Sequence, residues 1–243
     1  MGQAASSSAP TAPIPCPYNS NNCYRISKDE RPWVDAIRSE SYLDWKKNYE
    51  KNDKAGLLRQ ALKHQDLPCQ ITHNLYLGDA GSIQNMEKLR ARGIVAVLNM
   101  AGKSAAPPAR ILRAFGKYGI EYKSIRAEDR EGYPLLERHF EEACEFIQQQ
   151  SRRGSVVVNC VQGINRSVLI VAAYHLVSVQ AEEPCDSCIS NNVLETMRHI
   201  RNERGNSALS NWSFQEQLVA FAKERNQLGP HPKMAAAIRS TRR

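Results

Sequence analysis

The order of apolar and polar positions divides the chain into a patterned middle and two unpatterned ends. Residues 1–24 are rich in Ala, Ser, Pro and Asn and carry no apolar period, which reads as a disordered arm. Residues 31–62 read as helical. Trp33, Ile37, Leu43, Trp45 and Tyr49 mark one apolar stripe, Leu57, Leu58, Ala61 and Leu62 another, and Asn52 and Gly56 break the segment between them. From residue 70 the pattern becomes regular. Ile71 to Leu77 alternates and predicts a strand ending at Gly78-Asp79; Met86 to Arg92 predicts a short helix stopped by Gly93. Ile94 to Met100 is a continuous apolar run, the mark of a strand buried on both faces, and Gly119 to Ile125 predicts another strand. Phe140, Ala143, Cys144 and Ile147 fall at i, i+3, i+4 and i+7, so 135–150 is an amphipathic helix.

Val156-Val157-Val158 predicts a further buried strand. It is followed by a segment, 167–180, that is apolar nearly all round, as a helix in the middle of a domain would be. Two more helices are expected near 191–203 and 211–225, the second with Phe214, Leu218 and Phe221 on one face. Strands alternating with helices predict an α/β domain over 70–226, with a central, mostly parallel sheet flanked by helices. A helical extension at 25–69 precedes it, and a basic, Pro-containing tail at 227–243 follows.

Composition narrows the class. The chain has 243 residues, 24% charged and 42% in the AVILMFWYC set, as in ordinary globular proteins. A net charge of +8 suggests acidic partners without naming them. No Lys/Arg-plus-aromatic repeat of a nucleic-acid platform is visible, so nucleic acid is not expected as a partner. No apolar run reaches the roughly 18–20 residues of a membrane-spanning helix, and the N-terminus lacks the pattern of a secretory signal. The 7 cysteines are odd in number and irregular in spacing, which favours free thiols in a reducing, cytoplasmic setting.

The strongest chemical signal is Cys160-Val161-Gln162-Gly163-Ile164-Asn165-Arg166-Ser167, set between a buried strand and a helix. In an α/β sheet, ligands bind beyond the carboxyl ends of the strands. A helix starting near Arg166 turns unpaired N–H groups and its positive end toward that space. A loop wrapped around that point makes a socket for a tetrahedral dianion. Gly163 allows the tight turn, and Arg166 can grip two phosphate oxygens with its planar fork. The same field favours the thiolate of Cys160, a nucleophile placed to attack phosphorus and form a phosphocysteine intermediate. Ser167 is placed to hydrogen-bond the sulfur and help it leave.

The leaving oxygen needs a proton, and a carboxylic acid on a mobile loop near the socket is the usual source. The segment 125–134 lies between a strand and a helix, and Glu128 and Asp129 are its candidates. In any parallel arrangement of these strands it sits on the same side as the Cys160 loop.

At this point the sequence resembles the dual-specificity phosphatases, the compact branch of the cysteine-dependent protein tyrosine phosphatases. The resemblance covers 70–226. It is carried by Asn74-Leu75-Tyr76-Leu77-Gly78, Val95-Ala96-Val97-Leu98-Asn99, the Tyr122–Asp129 segment, Asn159 through Ser167, Ala172-Ala173-Tyr174-His175-Leu176 and Phe214-Gln215-Glu216-Gln217-Leu218. It implies Cys160 as nucleophile, Arg166 as phosphate ligand, Ser167 assisting thiolate release, and Asp129 rather than Glu128 as general acid. It also implies no metal and no organic cofactor. The family usually has His just before the nucleophile; here Asn159 stands there, and a weaker hold on the thiolate of an active enzyme is expected.

Substrates implied are phosphorylated proteins, with MAP kinases the family-typical targets, although no basic-apolar docking motif stands out. No extra aromatic recognition loop is visible, so phosphoserine and phosphothreonine are expected beside phosphotyrosine. Val161, Gln162, Ile164 and Asn165 add no positive charge to the loop, which argues against a phosphoinositide. The alternative of another class is a catalytically weak phosphate-binding module or scaffold. Met1-Gly2-Gln3-Ala4-Ala5-Ser6 fits the N-myristoylation pattern, with Gly2 as acceptor. One myristoyl chain anchors only marginally, so partial membrane association would need a second signal: Cys16, or Arg25, Lys28 and Arg31. Cys185 and Cys188 lack a second pair and read as free thiols rather than a zinc site. His175 reads as a packing residue of its helix.

Overall fold

The structure, a computed structural model, describes residues 26–50, 66–178 and 192–232. The 1–24 arm with Gly2 and Cys16, Arg25, the second helical stripe at 57–62, the Cys185–Cys188 pair and the end of the basic tail lie outside those residues, as do the side chains of Leu43, Trp45 and Tyr49.

Five strands form one sheet in the order β1-β2-β5-β3-β4. They are β1 (Cys69–Thr72), β2 (Leu75–Gly78), β3 (Ile94–Asn99), β4 (Glu121–Ser124) and β5 (Ser155–Asn159). The one antiparallel pair is β1 with β2; the other three pairings are parallel. The single strand expected over Ile71–Leu77 is therefore a hairpin, turning at His73-Asn74. The turn pairs Thr72 with Leu75 and so shifts the face by one residue, but the register irregularity between Gln70 and Thr72 shifts it back, and Ile71, Leu75 and Leu77 keep one alternating pattern.

The strand carrying the chemistry is the centre of the sheet, and its sequence explains why. Val156, Val157 and Val158 are all fully buried, because helices cover both faces. Val156 and Val158 face the larger layer with Leu75, Leu77, Ala96 and Leu98. Val157 faces the smaller one with Tyr76, Val97 and Phe115. Each fully buried side chain of this size stabilises the fold by roughly 1.5–3 kcal/mol.

The smaller layer holds α2 (Met86–Ala91) and α3 (Ala109–Lys117). Helix α3 has no counterpart in the apolar pattern. Phe115 is its one buried residue, so the stripe is too narrow to read. The larger layer holds α4 (Leu135–Ser151), α5 (Arg166–Ser178), α6 (Val193–Arg204) and α7 (Trp212–Glu224). Phe140, Ala143, Cys144 and Ile147 are buried on α4, and Phe214, Leu218 and Phe221 on α7. Helix α5 is buried almost all round, as its sequence predicts. His175 is 2% exposed on it, and burial, with His199 nearby, pushes its pKa down to about 4, so it packs as a neutral ring.

The helical extension is α1 (Arg31–Glu50). Val34 and Ile37 join the main core, and Arg201 on α6 donates to the Ile37 carbonyl at 2.7 Å. Ion pairs of Arg31 with Glu216 and of Glu40 with Arg198 fasten its outer face to α7 and α6.

The register decides where the site lies. Gly78 and Asn99 both pair with Asn159, and Ser124 pairs with Asn99. Four parallel strands thus end level, and the loops that follow them open on one edge of the sheet.

Candidate active site

The socket is built from backbone before any side chain enters it. The carbonyl of Val161 accepts from the Ala80 N–H at 3.1 Å, and that of Ile164 from the Leu209 N–H at 2.7 Å. Between them, the Gln162 and Gly163 carbonyls accept from the Arg204 guanidinium, at 2.7 Å and 2.9 Å. Four consecutive carbonyls are therefore tied outward. In a trans peptide the next N–H points the opposite way, so the N–H groups of residues 162 to 165 turn toward the middle of the loop. Helix α5 begins at Arg166 and adds its positive end at the same place.

Gly163 is required at its position. Its φ is +64°, and a Cβ there would sit 2.5 Å from the Gly78 carbonyl oxygen at the end of β2. Its own N–H donates to Cys160 Sγ at 3.2 Å, and the Ser167 hydroxyl donates to the same sulfur at 3.3 Å. Two donors thus converge on one sulfur, and Cys160 is only 1% exposed.

Arg166 is the buried cation of the site, its side chain 11% exposed. Its Nη1 reaches the Ala127 carbonyl at 3.4 Å, and its Nε has no hydrogen-bond partner among the described residues. Asp129 Oδ2 stands 3.6 Å from that Nε, an ion pair without a hydrogen bond. A guanidinium carries five N–H donors, and this one spends few of them on the protein.

Asp129 lies beside the loop as its position after β4 led one to expect, held between Asn165 and Asn211. Glu128 is turned away into an exposed pair with Arg130, which holds its carboxyl below the usual range. Asn159 donates to the Cys160 carbonyl at 3.3 Å, while its side-chain oxygen meets no donor among the described residues. Val161 and Gln162 are exposed at the loop's outer turn. All the candidate residues from 159 to 167 thus gather with Asp129 at one sheet edge; Gly2 lies outside the described residues.

Arg204 and Asn211 were not evident from the sequence. Arg204 sits at the end of α6, 4% exposed. Burial lowers its pKa, while the Asp79 carboxylate acts in the opposite sense. Cys69 stays a neutral thiol, pushed up to about 11 by burial. Leu209, whose N–H holds Ile164, has φ of +62°, a strained conformation for a residue with a side chain.

A thiol at the end of a central strand, a ring of inward N–H groups and an underused buried guanidinium define the site type of the cysteine-dependent protein phosphatases. The sequence profile described as "Dual specificity phosphatase, catalytic domain" matches residues 75–224, and the chain belongs to that family. Dual specificity protein phosphatase 26 of Homo sapiens is 27% identical over 172 residues, covering 70% of this chain and 72% of that protein. Dual specificity protein phosphatase 1 of Arabidopsis thaliana is 33% identical over 113 residues, 46% of this chain and about half, 52%, of the relative's length. Among solved structures, DUSP15 shares the fold with a TM-score of 0.50 at 24% identity, over 65% of this chain and 92% of the other.

Proposed function

We propose that this protein hydrolyses phosphotyrosine and phosphoserine or phosphothreonine on other proteins through a phosphocysteine intermediate. The observation that carries the proposal is the Arg166 guanidinium: buried, with an Nε that has no hydrogen-bond partner among the described residues, at the start of the helix that follows the Cys160 loop. Asp129 meets this cation as an ion pair without a hydrogen bond, and a buried donor left unfilled costs about 1–3 kcal/mol. A phosphoryl group seated on the loop N–H groups would fill it.

In the proposed reaction the Cys160 thiolate attacks phosphorus, the bond to the leaving oxygen breaks, and Asp129 gives that oxygen its proton. Water then attacks the phosphocysteine, Asp129 takes up the water's proton, and the P–S bond breaks. The Ser167 hydroxyl, 3.3 Å from the sulfur, stabilises the thiolate as it leaves. Inorganic phosphate is the product and the enzyme returns to its starting state.

Hydrolysis of an aryl phosphate by the purified chain tests this, with Cys160→Ser as the control. Turnover by the parent, its loss in the variant, and a phosphocysteine adduct trapped by acid quench are expected. Binding of phosphopeptide by the parent with no turnover would replace the proposal by the phosphate-binding module. A peptide panel carrying phosphotyrosine, phosphothreonine or both would then establish the substrate range.

A further inference from the structure

The two amides that hold Asp129 have orientations set by their other partners. Asn165, the loop residue before Arg166, receives the Asn211 backbone N–H at 3.0 Å and the Ser210 hydroxyl at 3.1 Å on Oδ1. A backbone N–H can only donate, so the atom facing it is the amide oxygen. Nδ2 is thereby turned toward Asp129 and donates to Oδ2 at 3.4 Å. Asn211 repeats the arrangement from the opposite side. It is the N-cap of α7, and its Oδ1 receives the Phe214 N–H at 3.3 Å and the Ser213 hydroxyl at 2.9 Å. Its Nδ2 is left to donate to Asp129 Oδ1 at 3.2 Å.

Each oxygen of the carboxyl therefore has its own donor, and the donors come from different elements. Two points of attachment fix the carboxyl plane as one would not. Oδ2 is the oxygen on the socket side, 3.6 Å from Arg166 Nε, while Oδ1 faces α7. The loop is tied a second time two residues on, where the Glu131 carboxylate accepts the Trp212 and Ser213 N–H groups at 3.1 Å and 2.9 Å.

We propose that Asn165 and Asn211 are positioning residues for proton transfer, holding Asp129 in place before substrate arrives with Oδ2 as the oxygen that carries the proton. This rests on the phosphatase reading above. As the P–O bond breaks, the proton on Oδ2 passes to the leaving oxygen, and negative charge develops on Asp129. The two amide N–H donors already aim at that charge, so no reorganisation is needed when it appears. In the second step the same donors hold the carboxylate ready to take a proton from water.

Asn211→Ser tests the inference, because Ser still caps α7 through its hydroxyl but lacks the amide that reaches Asp129. Turnover is measured with dinitrophenyl phosphate, whose leaving group needs little protonation, and with phenyl phosphate, whose leaving group needs it. General acid catalysis supplies about 10²–10⁴-fold. Loss of one positioning contact is expected to remove about tenfold of it, so kcat/KM, which reports the step that expels the leaving group, falls about tenfold further on phenyl phosphate than on dinitrophenyl phosphate. Asp129→Asn should move the ratio the same way and further. An unchanged ratio overturns the inference, whether both rates fall together or neither falls. Asn165→Ser is read by the same ratio if Asn211→Ser does not melt as a folded protein. A parent that turns over neither ester overturns the phosphatase reading, and this inference with it.

Discussion

Two loops leave the parallel strands on either side of β3 and meet at the Asn165–Asp129 contact, and they are held by different means. The loop after β5 is held from behind by buried groups. Its carbonyls are taken by Arg204 and by the Ala80 and Leu209 N–H groups, and Cys160, Gly163, Arg166 and Ser167 are buried. The loop after β4 is exposed from Glu128 to Gly132 and is held at its tip by side chains alone, through Asn165, Asn211 and Glu131. A group held by burial cannot be disturbed without disturbing the fold, whereas one held by exposed hydrogen bonds can be. The two halves of the proposed chemistry therefore respond to substitution differently: damage to the socket costs stability and activity together, and damage to the acid loop costs proton transfer first.

The largest effect that breaks this contrast or upholds it is expected at Gly163. Gly163→Ala puts a residue with a Cβ at φ +64° and drives that Cβ against the Gly78 backbone, which belongs to the sheet and cannot swing aside. The left-handed conformation alone costs about 1–2 kcal/mol. The clash shifts the loop and with it the N–H that faces Cys160 Sγ. A loss of about 3 kcal/mol or more in urea unfolding, with turnover reduced to near background, is expected. Unchanged stability in the variant would show that the socket is softer than its burial implies.

A smaller effect is expected at Arg204. Arg204→Met keeps the apolar stem but leaves the Gln162 and Gly163 carbonyls without their donor, the Gly163 one in a buried setting, at about 1–3 kcal/mol for a buried unsatisfied group. Loop N–H groups then lose their fixed aim, and a displacement near 1 Å can cost about a hundredfold in rate. The signature is a fall in kcat/KM for both aryl phosphates by the same factor, because the socket and not the proton donor is affected. A change confined to phenyl phosphate would place Arg204 with the acid loop and undo the distinction.

The same contrast explains what could be read from the sequence. Cys160, Gly163, Arg166 and Ser167 lie within one strand–loop–helix unit, so local spacing announces them, and Asp129 follows β4 on the same sheet edge. The supports do not share that locality: Arg204 meets Gly163 across 41 residues and Asn211 meets Asp129 across 82. Nothing local distinguishes Asn211 from any N-cap, since capping and holding Asp129 use opposite ends of the same amide. The buried strands β3 and β5 were legible because a strand covered on both faces is apolar without interruption. The β1–β2 hairpin was not, because its turn and the register shift in β1 together leave the alternation intact, and α3 was not, because it turns only Ile111 and Phe115 to the sheet.

The smallest effect is expected at Glu131, and it is the most discriminating for the acid loop. Its carboxylate accepts two N–H groups in the first turn of α7, where those groups have no intrahelical partner and the helix dipole favours negative charge. Glu131→Gln keeps one carbonyl oxygen as acceptor and removes the charge. A dipole interaction of this exposed kind contributes about 0.3–1 kcal/mol, so the melting temperature should fall by only a few degrees. Asp129 keeps both of its amide donors, so the dinitrophenyl-to-phenyl phosphate ratio should rise by less than it does in Asn211→Ser. If instead Glu131→Gln raised the ratio as far as Asn211→Ser, the loop would be held as a whole by its tie to α7, and the grip of the two amides on the carboxyl would be secondary.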